Sequence, residues 1–186
     1  MKAEAAEKRI REFLPEGNFE FINKKLETQE DVDAVIDGVD IVICVADRPR
    51  KSMLAWLNQA CVKYGIPYLN GGLDTKRAIL FSVRPGVTGC AECWKLSVEK
   101  KNDMAAKLHQ IEMQEGLQAI LGPALVTLVS TLTGLMLSEF VKLVTNIADV
   151  KTGNKLTEFD FESLQLRAVE TWEKHSECPI CSVHKV

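Results

Sequence analysis

The chain has 186 residues, of which 46% are apolar, and a formal net charge of -3 from 23 basic and 26 acidic side chains. A chain of this length and composition can bury one hydrophobic core of ordinary size, so a single domain is expected over residues 1–186. Because the two signs of charge are mixed along the whole length, there is no positive field for a phosphate backbone, and a nucleic-acid partner is not expected.

The N-terminal segment predicts two helices and a strand. Apolar residues recur near helical spacing from 2 to 14, and this segment is too charged for a signal peptide, so a cytoplasmic location is expected. The aromatic and branched run Phe19–Ile22 predicts a short strand. Thr28 is a predicted N-cap for a helix that runs to about Ile36.

A βαβ unit is predicted next. Val39–Val45 is nearly continuous in apolar residues, which is typical of a strand buried on both faces of a parallel sheet. A helix from about Arg50 to Tyr64 follows, and then the strand Ile66–Leu69, which Asn70–Gly72 is expected to close. A strand, a helix and a strand in this order place the two strands in parallel.

The rest of the chain predicts a strand, a long helix and a hairpin. The strand is Ala78–Val83, and an antiparallel pair within residues 155–169 turns near Glu162. Residues 116–137 carry no charge and are long enough to cross a bilayer. Their polar residues favour instead a buried helix from near Pro123 to Val144, so no membrane association is expected.

Two CxxC pairs form the strongest motif. The first pair is Cys90 and Cys93, in a predicted knuckle at 88–94, and the second is Cys178 and Cys181, in a predicted knuckle at 177–182. The two pairs are separated by 84 residues. Two residues between cysteines let both thiolates reach one ion, and two such pairs form a closed tetrahedral site that suits structural zinc. A redox CxxC is less favoured, because neither pair is predicted to open a helix beside a strand. His175 or His184 could replace one thiolate, although two complete pairs make this unnecessary.

Asp47 follows the predicted strand Val39–Val45 and has two interpretations. An isolated aspartate at such a position more often caps the next helix. However, open α/β sheets bind ligands at the carboxyl ends of parallel strands, and a carboxylate there can hold magnesium against a nucleotide. The local sequence leaves both interpretations open.

Together these features resemble the ThiF/MoeB/HesA adenylyltransferase superfamily, whose fold is similar to that of ubiquitin-activating enzymes. The resemblance covers nearly the whole chain and rests on residues 39–72, PGVTGCAEC at 85–93 and CPIC at 178–181. Three short segments are most similar to the MccB-like, peptide-adenylating branch: Ala46–Pro49, Trp56–Asn58 and Pro67–Asn70. The resemblance implies the C-terminal half of an α/β fold, namely a partial Rossmann-like, doubly wound sheet lacking its first strands, with a C-terminal antiparallel hairpin and a zinc module of four cysteines.

The resemblance also implies an activity. In this family the C-terminal carboxylate of a peptide or ubiquitin-like protein attacks ATP to give an acyl-adenylate and pyrophosphate. Asp47 matches the magnesium-binding, catalytic aspartate, and Lys2 matches a lysine that contacts the ATP phosphates. The family's glycine-rich loop has no counterpart between residues 1 and 186, and without its amides the triphosphate loses its main anion cradle. A truncated or split enzyme, inactive alone and binding Mg-ATP only with the missing half, is therefore expected.

A second hypothesis is a non-catalytic, zinc-stabilised peptide-binding or scaffold protein. Under either hypothesis thioester transfer is not expected, because residues 94–120 contain no cysteine. Cys44 and Cys61 are expected to be small buried core residues.

Assembly follows from strand order. In a 3-2-1-4 sheet, Phe19–Ile22 would be the third strand and Val39–Val45 the fourth, so two strands between them would be missing. The exposed apolar edge of Val39–Val45 would then need to be covered by another strand or chain. A homodimer, or a complex with a protein that supplies the missing half, is therefore expected.

Overall fold

The computed structural model describes residues 2–50, 52–73, 75–101 and 124–183. The helices are α1 (Lys2–Phe13), α2 (Gln29–Ile36), α3 (Met53–Tyr64), α4 (Ala91–Lys101) and α5 (Val126–Thr145). The strands are β1 (Val42–Cys44), β2 (Tyr68–Leu73), β3 (Arg77–Val83), β4 (Lys155–Asp160) and β5 (Gln165–Thr171). The predicted start of the last helix, near Pro123, lies outside the described residues.

The five strands form one sheet in the order β1-β2-β3-β4-β5. The predicted βαβ unit is confirmed, because β1 and β2 are parallel, with Val42 opposite Tyr68. The remaining three strand pairs are antiparallel, so the expected doubly wound arrangement is replaced, within the described residues, by a mixed sheet. The physical reason is the connection between β2 and β3, which is too short for a parallel crossover.

Helices cover both faces of this sheet. Successive residues of β3 alternate between two cores, as the period of a strand requires: Phe81 packs towards α2, α3 and the cysteines, whereas Leu80 packs against α5. α5 approaches β2 closely at Gly71, where an added Cβ would lie 2.4 Å from Met136 Sδ. Asn70–Gly72 was predicted to close the strand. It lies inside β2 instead, and the glycine provides room for α5.

Two strand predictions are wrong. Phe19–Ile22 has no regular structure, and the Phe19 carbonyl accepts a hydrogen bond from Arg11 of α1 at 3.2 Å rather than from a strand. β1 is shorter than predicted and is not buried on both faces, since Ile43 is 42% and Val45 68% exposed. A strand needs a hydrogen-bonded neighbour, and within the described residues β1 has one only on its β2 side.

Local capping signals are confirmed. The Thr28 hydroxyl accepts from the Asp31 amide at 3.2 Å, while the Asp31 carboxylate accepts from the Thr28 amide at 3.1 Å. This capping box starts α2 where it was predicted. The predicted C-terminal hairpin is also present, with its turn at residues 161–164 between β4 and β5.

α5 contacts the sheet with only one of its sides. Leu128, Leu132 and Met136 are buried, whereas a stripe of apolar residues on another side is exposed. By length and composition, this 20-residue helix could cross a membrane. One such helix is weak evidence for a membrane span, because core helices of soluble proteins pass the same test.

Glu139 ties α5 to the chain that enters β4. This side chain is buried, and one of its carboxylate oxygens accepts from the amides of Lys151 and Thr152 at 2.7 and 2.9 Å. The Thr152 hydroxyl also donates to it at 2.9 Å, and Lys142 pairs with the other oxygen at 2.5 Å. Burial acts to raise the pKa of Glu139, but these hydrogen bonds outweigh burial and lower it.

We predict that Glu139→Gln destabilises the fold by about 2–3 kcal/mol at pH 7, because hydrogen bonds to a buried charge are lost. A carboxylate whose pKa is lower in the folded state stabilises the fold above its unfolded pKa, and this contribution disappears as the pH falls through the folded pKa. The difference between wild type and variant should therefore shrink on acidification below about pH 4.5.

The measurement is urea unfolding at several pH values. The exposed pair Lys76–Glu162 supplies the control, since Glu162→Gln should change stability by less than about 1 kcal/mol. A Glu139→Gln effect that is equally small would contradict the assigned role.

Candidate metal centre and ligand-binding strand end

The first cysteine pair follows β3 through a tight turn. The Thr88 hydroxyl accepts from the Arg84 amide at 2.9 Å, which fixes the chain just before Gly89. A Cβ at Gly89 would lie 2.8 Å from the Trp172 ring and 2.9 Å from the Glu173 carbonyl oxygen. Only glycine therefore lets the tail approach the backbone this closely at that position. Cys90 then precedes α4, and Cys93 lies in its first turn.

The tail after β5 brings the second pair to the first. Trp172 donates through its indole N–H to the Gly89 carbonyl at 3.2 Å and stacks on Trp94, with ring centroids 5.6 Å apart. The His175 amide donates to Cys93 Sγ at 3.3 Å. The Cys178 amide then donates to the His175 carbonyl at 3.2 Å, which forms the turn that contains the second pair.

The four sulfurs have the geometry of a metal-binding cluster. Each of the four cysteines is at most 4% exposed, and their Sγ atoms all lie within 4.8 Å of one another. The Sγ–Sγ distances are 3.9 Å for Cys90–Cys93, 3.7 Å for Cys90–Cys178 and 3.4 Å for Cys93–Cys181. A disulfide requires about 2 Å. Four thiolates at tetrahedral positions, each about 2.3 Å from zinc, would be about 3.8 Å apart, so the residues present fit such an ion.

Hydrogen bonds lower the pKa of one clustered cysteine, whereas burial raises the pKa of another. The hydrogen bond from Cys90 Sγ lowers the pKa of Cys93 to about 4, with the His175 amide contributing in the same direction. Burial, followed by the interaction with Cys93, raises the pKa of Cys181 to about 12. Metal binding requires thiolates, so an ion that binds here would release the protons that the four thiols carry.

Asn58, on the inner side of α3, holds the first knuckle. Its side-chain oxygen accepts from the Ala91 amide and from the Tyr68 hydroxyl, both at 2.9 Å. Asn58 is 2% exposed and Tyr68 is fully buried. Burial raises the pKa of Tyr68 well above its usual value, so this phenol remains a donor. The contact connects α3, β2 and the first cysteine knuckle through one buried oxygen.

The structure brings the four predicted cysteines together and excludes His175 from the cluster's ligand set. The His175 imidazole faces Lys100 and the Glu177 amide, and only its backbone N–H reaches a sulfur. His184 lies outside the described residues. One premise was wrong: the first pair does open a helix, α4, after a strand. The site nevertheless differs from a redox motif, which has two cysteines, because the second pair lies beside the first.

Asp47 lies at the opposite end of the sheet from the cysteines. β1 and β2 run parallel, whereas Val83 at the end of β3 pairs with Tyr68 at the start of β2. The carboxyl end of β1 is therefore distant from the turn that leads β3 into the cluster. Asp47 follows β1 on an exposed loop and has no hydrogen bond or ion pair with the described residues. Lys2 begins α1, and its side chain is not described.

Cys44 and Cys61 are core residues, as predicted. Both are buried, and burial raises the pKa of Cys44 and that of Cys61, the latter to about 12. Thiols of this kind are poor nucleophiles at neutral pH.

The model of the ThiF family matches residues 1–180. The chain belongs to the ThiF family. Protein HesA, vegetative, from Trichormus variabilis is 27% identical over 180 residues, which covers 96% of this chain and 60% of that protein. The sulfur carrier protein ThiS adenylyltransferase of Bacillus subtilis is 32% identical over 92 residues, covering 50% of this chain and 26% of that protein.

Solved structures of the same fold include E. coli MccB. Its crystal structure has a TM-score of 0.80 and 20% identity, with 97% of this chain and 49% of MccB covered. The structure of MccB with ATP has a TM-score of 0.78 and 19% identity, with 97% of this chain and 50% of MccB covered. This ThiF-family chain thus spans about half the length of the MccB chain and 60% of the HesA protein.

Sequence reasoning missed three residues that support the cysteine cluster: Asn58, Gly89 and Trp172. The sequence placed Asn58 on the helix without a role. A signal was nevertheless available, since Asn58 is a polar side chain among the apolar residues Leu57, Ala60 and Cys61. Such a residue needs buried partners.

We predict that Asn58→Leu destabilises the fold by about 2–4 kcal/mol, because the Ala91 amide and the Tyr68 hydroxyl both lose their acceptor. Tyr68→Phe is the matched control. It removes one donor and leaves the Ala91 bond intact, so it should cost about 1 kcal/mol. Denaturant unfolding gives the two energies, and amide exchange at Ala91 should accelerate only in Asn58→Leu. Equal effects of the two substitutions would show that the Ala91 contact contributes nothing.

Proposed function

We propose that this chain provides part of an ATP-dependent adenylyltransferase that activates the C-terminal carboxylate of a peptide or ubiquitin-like protein. The observation that carries the proposal is Asp47, an exposed carboxylate at the carboxyl end of a parallel strand in a ThiF-family chain. Ligands of open α/β sheets bind at this end. Crystal structures of E. coli MccB include complexes with ATP, and with AMPCPP together with MccA.

In the proposed reaction, a carboxylate oxygen of the substrate bonds to the α-phosphorus of ATP, and the bond from that phosphorus to the pyrophosphate oxygen breaks. Asp47 would orient the magnesium ion bound to the phosphates, and Lys2 would contact the phosphates. Magnesium would supply neutralisation of the charge that develops on the leaving pyrophosphate. Asp47 has no cation partner within the described parts of the chain, so its charge is available for this role.

Residues outside this chain would complete the site. Backbone amides of a glycine-rich loop are the usual cradle for a triphosphate, and Asp47 with Lys2 does not replace them. The β1 edge supports such a completion, because β1 has a described neighbour only on its β2 side and its Ile43 and Val45 are exposed. An added strand would pair with this edge and bury both side chains.

A homodimer is the alternative cover for exposed apolar surface. The outer side of α5 has an apolar stripe at helical spacing, formed by Val126, Val129, Leu137, Val141 and Val144. Gly134 and Ser138 lie within it, and a Cβ on Gly134 would meet nothing within 4 Å, so a second helix could approach closely here. The stripe and the β1 edge are separate surfaces, so both could be covered in one assembly.

The cluster of Cys90, Cys93, Cys178 and Cys181 would hold structural zinc. Four thiolates close the coordination shell, and the cluster lies at the opposite end of the sheet from Asp47. The ion would therefore fix the tail without contacting the reacting groups.

We predict that the chain alone gives no ATP–pyrophosphate exchange, and that exchange appears when the missing half is added, for example as the protein encoded next to this one. Asp47→Asn should then reduce the exchange rate by about 100-fold, since one charge-stabilising group of the transition state is lost. Asp40→Asn, an exposed aspartate at the other end of β1, is the control and should retain the rate.

No exchange in any mixture would favour the second candidate, a non-catalytic, zinc-stabilised peptide-binding or scaffold protein. Full exchange by Asp47→Asn would show that the reaction occurs without the proposed carboxylate. Micromolar affinity of the chain alone for magnesium-ATP would contradict the proposal that the chain lacks a cradle for the triphosphate.

We predict about one zinc ion per chain by elemental analysis, because the four thiolates form one closed site. Cys178→Ser should lose the metal and lower the melting temperature. Cys44→Ser should retain the metal and act only as a buried polar substitution that costs about 1–3 kcal/mol. Equal metal loss from both variants would show that the ligand set is wrong.

A further inference from the structure

Two close sulfur contacts join the cysteine pairs to each other. Cys93 Sγ lies 3.4 Å from Cys181 Sγ, and Cys90 Sγ lies 3.7 Å from Cys178 Sγ. Both distances are shorter than the 3.9 Å between Cys90 and Cys93 within the first pair. The two contacts use each sulfur once, and a disulfide bond would require a shift of roughly 1–2 Å in either of them. The arrangement therefore favours two disulfides between the pairs over one within each pair.

Hydrogen bonds outside the cluster hold the two pairs together. The Asn154 side-chain oxygen accepts from the Gly89 amide at 2.7 Å, and the Asn154 carbonyl oxygen accepts from the Trp172 amide at 3.0 Å. Gly89 precedes the first pair, and Trp172 leads the chain into the second. None of these bonds involves a sulfur. Loss of an ion from the cluster would therefore not by itself separate the two pairs.

A groove gives small molecules access to Cys93. The groove has a volume of about 620 Å³ and lies between the second half of α4 and the tail after β5, and Cys93 contributes to its lining. Cys44 and Cys61 are also buried, but they are core residues and do not line the groove. A small oxidant such as hydrogen peroxide would therefore reach Cys93 before it reaches either of these two thiols.

We propose that the cysteine cluster is a reversible oxidation site, at which a peroxide oxidises Cys93, Cys181 forms a disulfide with it, and Cys90 and Cys178 then form a second disulfide. The Cys93 thiolate attacks one peroxide oxygen, the O–O bond breaks, and a sulfenic acid and hydroxide form. The Cys181 thiolate then attacks the Cys93 sulfur and displaces a second hydroxide. A second peroxide oxidises the other pair in the same way.

The reaction balances with peroxide as the only oxidant. Four thiolates lose four electrons to two peroxide molecules, and with four protons they give two disulfides and four water molecules. A disulfide sulfur is no longer a thiolate, and the thiolate is the form that binds a metal, so the proposed zinc ion would leave. Reduction by a small thiol would restore the four thiolates, and zinc would then bind again.

The oxidised chain would keep its tail attached to the sheet. Each of the two disulfides would join residues that are 88 positions apart. Disulfides within the pairs would instead leave the tail held only by non-covalent contacts. The cluster lies at the opposite end of the sheet from Asp47, so oxidation would release the ion without removing the carboxylate assigned to the nucleotide.

The test is oxidation of the zinc-loaded full chain with hydrogen peroxide, followed by alkylation, trypsin digestion and mass spectrometry without reduction. We expect the free thiols to fall from six to two, Cys44 and Cys61, while zinc is released. Dithiothreitol with zinc should reverse both changes. Elemental analysis before oxidation measures the zinc content, so a failure of the zinc proposal is detected separately from the pairing of the cysteines.

The tryptic peptides distinguish the two kinds of disulfide. Cleavage after Lys95 leaves Cys90 and Cys93 on one peptide, and cleavage after Lys174 leaves Cys178 and Cys181 on another. The proposed disulfides would link these two peptides, and a reducing agent would separate them. Unlinked peptides after oxidation, or six free thiols that persist in excess peroxide, would overturn the proposal.

Matched double variants test which sulfurs pair. Cys90→Ser with Cys178→Ser leaves Cys93 and Cys181 in the cluster, whereas Cys90→Ser with Cys181→Ser leaves Cys93 and Cys178. Each variant removes two metal ligands, so the two are equal in that respect. We expect peroxide to form a disulfide faster in the first variant, and equal rates in two folded variants would contradict the assigned pairing. If circular dichroism shows that either variant is unfolded, the peptide map of the wild-type chain decides.

Discussion

The meeting of two cysteine pairs separated by 84 residues is the constraint on which much of this structure depends. The first pair follows β3 and the second follows β5, and these strands are the two neighbours of β4. Contact between the chain after β3 and the chain after β5 therefore fixes both neighbours of β4. Closing a chain segment of this length has an entropic cost, which the proposed ion would offset. The short contacts around Gly89, Trp172 and Asn58 are possible because this closure is complete.

The mixed sheet separates two kinds of chemistry. Because β3 is antiparallel to β2, the chain reaches the cysteines at one end of the sheet and Asp47 at the other. An ion in the cluster can therefore stabilise the fold without altering the charge near Asp47. The buried Asn58–Tyr68 contact lies at the cysteine end, where it joins α3 and β2 to the first knuckle. Within the described residues, the carboxyl end of β1 is exposed, as the proposed nucleotide site requires.

Exposed apolar surface is concentrated in places that can be covered by another chain. Phe13 and Leu14 at the end of α1, Ile43 and Val45 around β1 and the outer stripe of α5 are all exposed. Single exposed apolar residues are common. A strand edge without a neighbour in the described residues and a 20-residue helix with an apolar outer side are not ordinary surface. These surfaces support the proposal that another chain covers them.

The sequence by itself determined what depends on neighbours a few residues apart. Thr28 and Asp31 specify the start of α2, the alternating residues after Lys155 specify a hairpin, and the CxxC spacing specifies two pairs of ligands. Only the tertiary structure decided how the βαβ unit, β3 and the hairpin join into one sheet. It showed that Phe19–Ile22 has no strand partner in the described residues, that β1 is short and open, and that three of the four strand pairs are antiparallel. It also gave Asn58 its role. Strand pairing and buried hydrogen bonds join residues that are tens of positions apart in the sequence. A local sequence pattern does not specify which distant residue will be the partner.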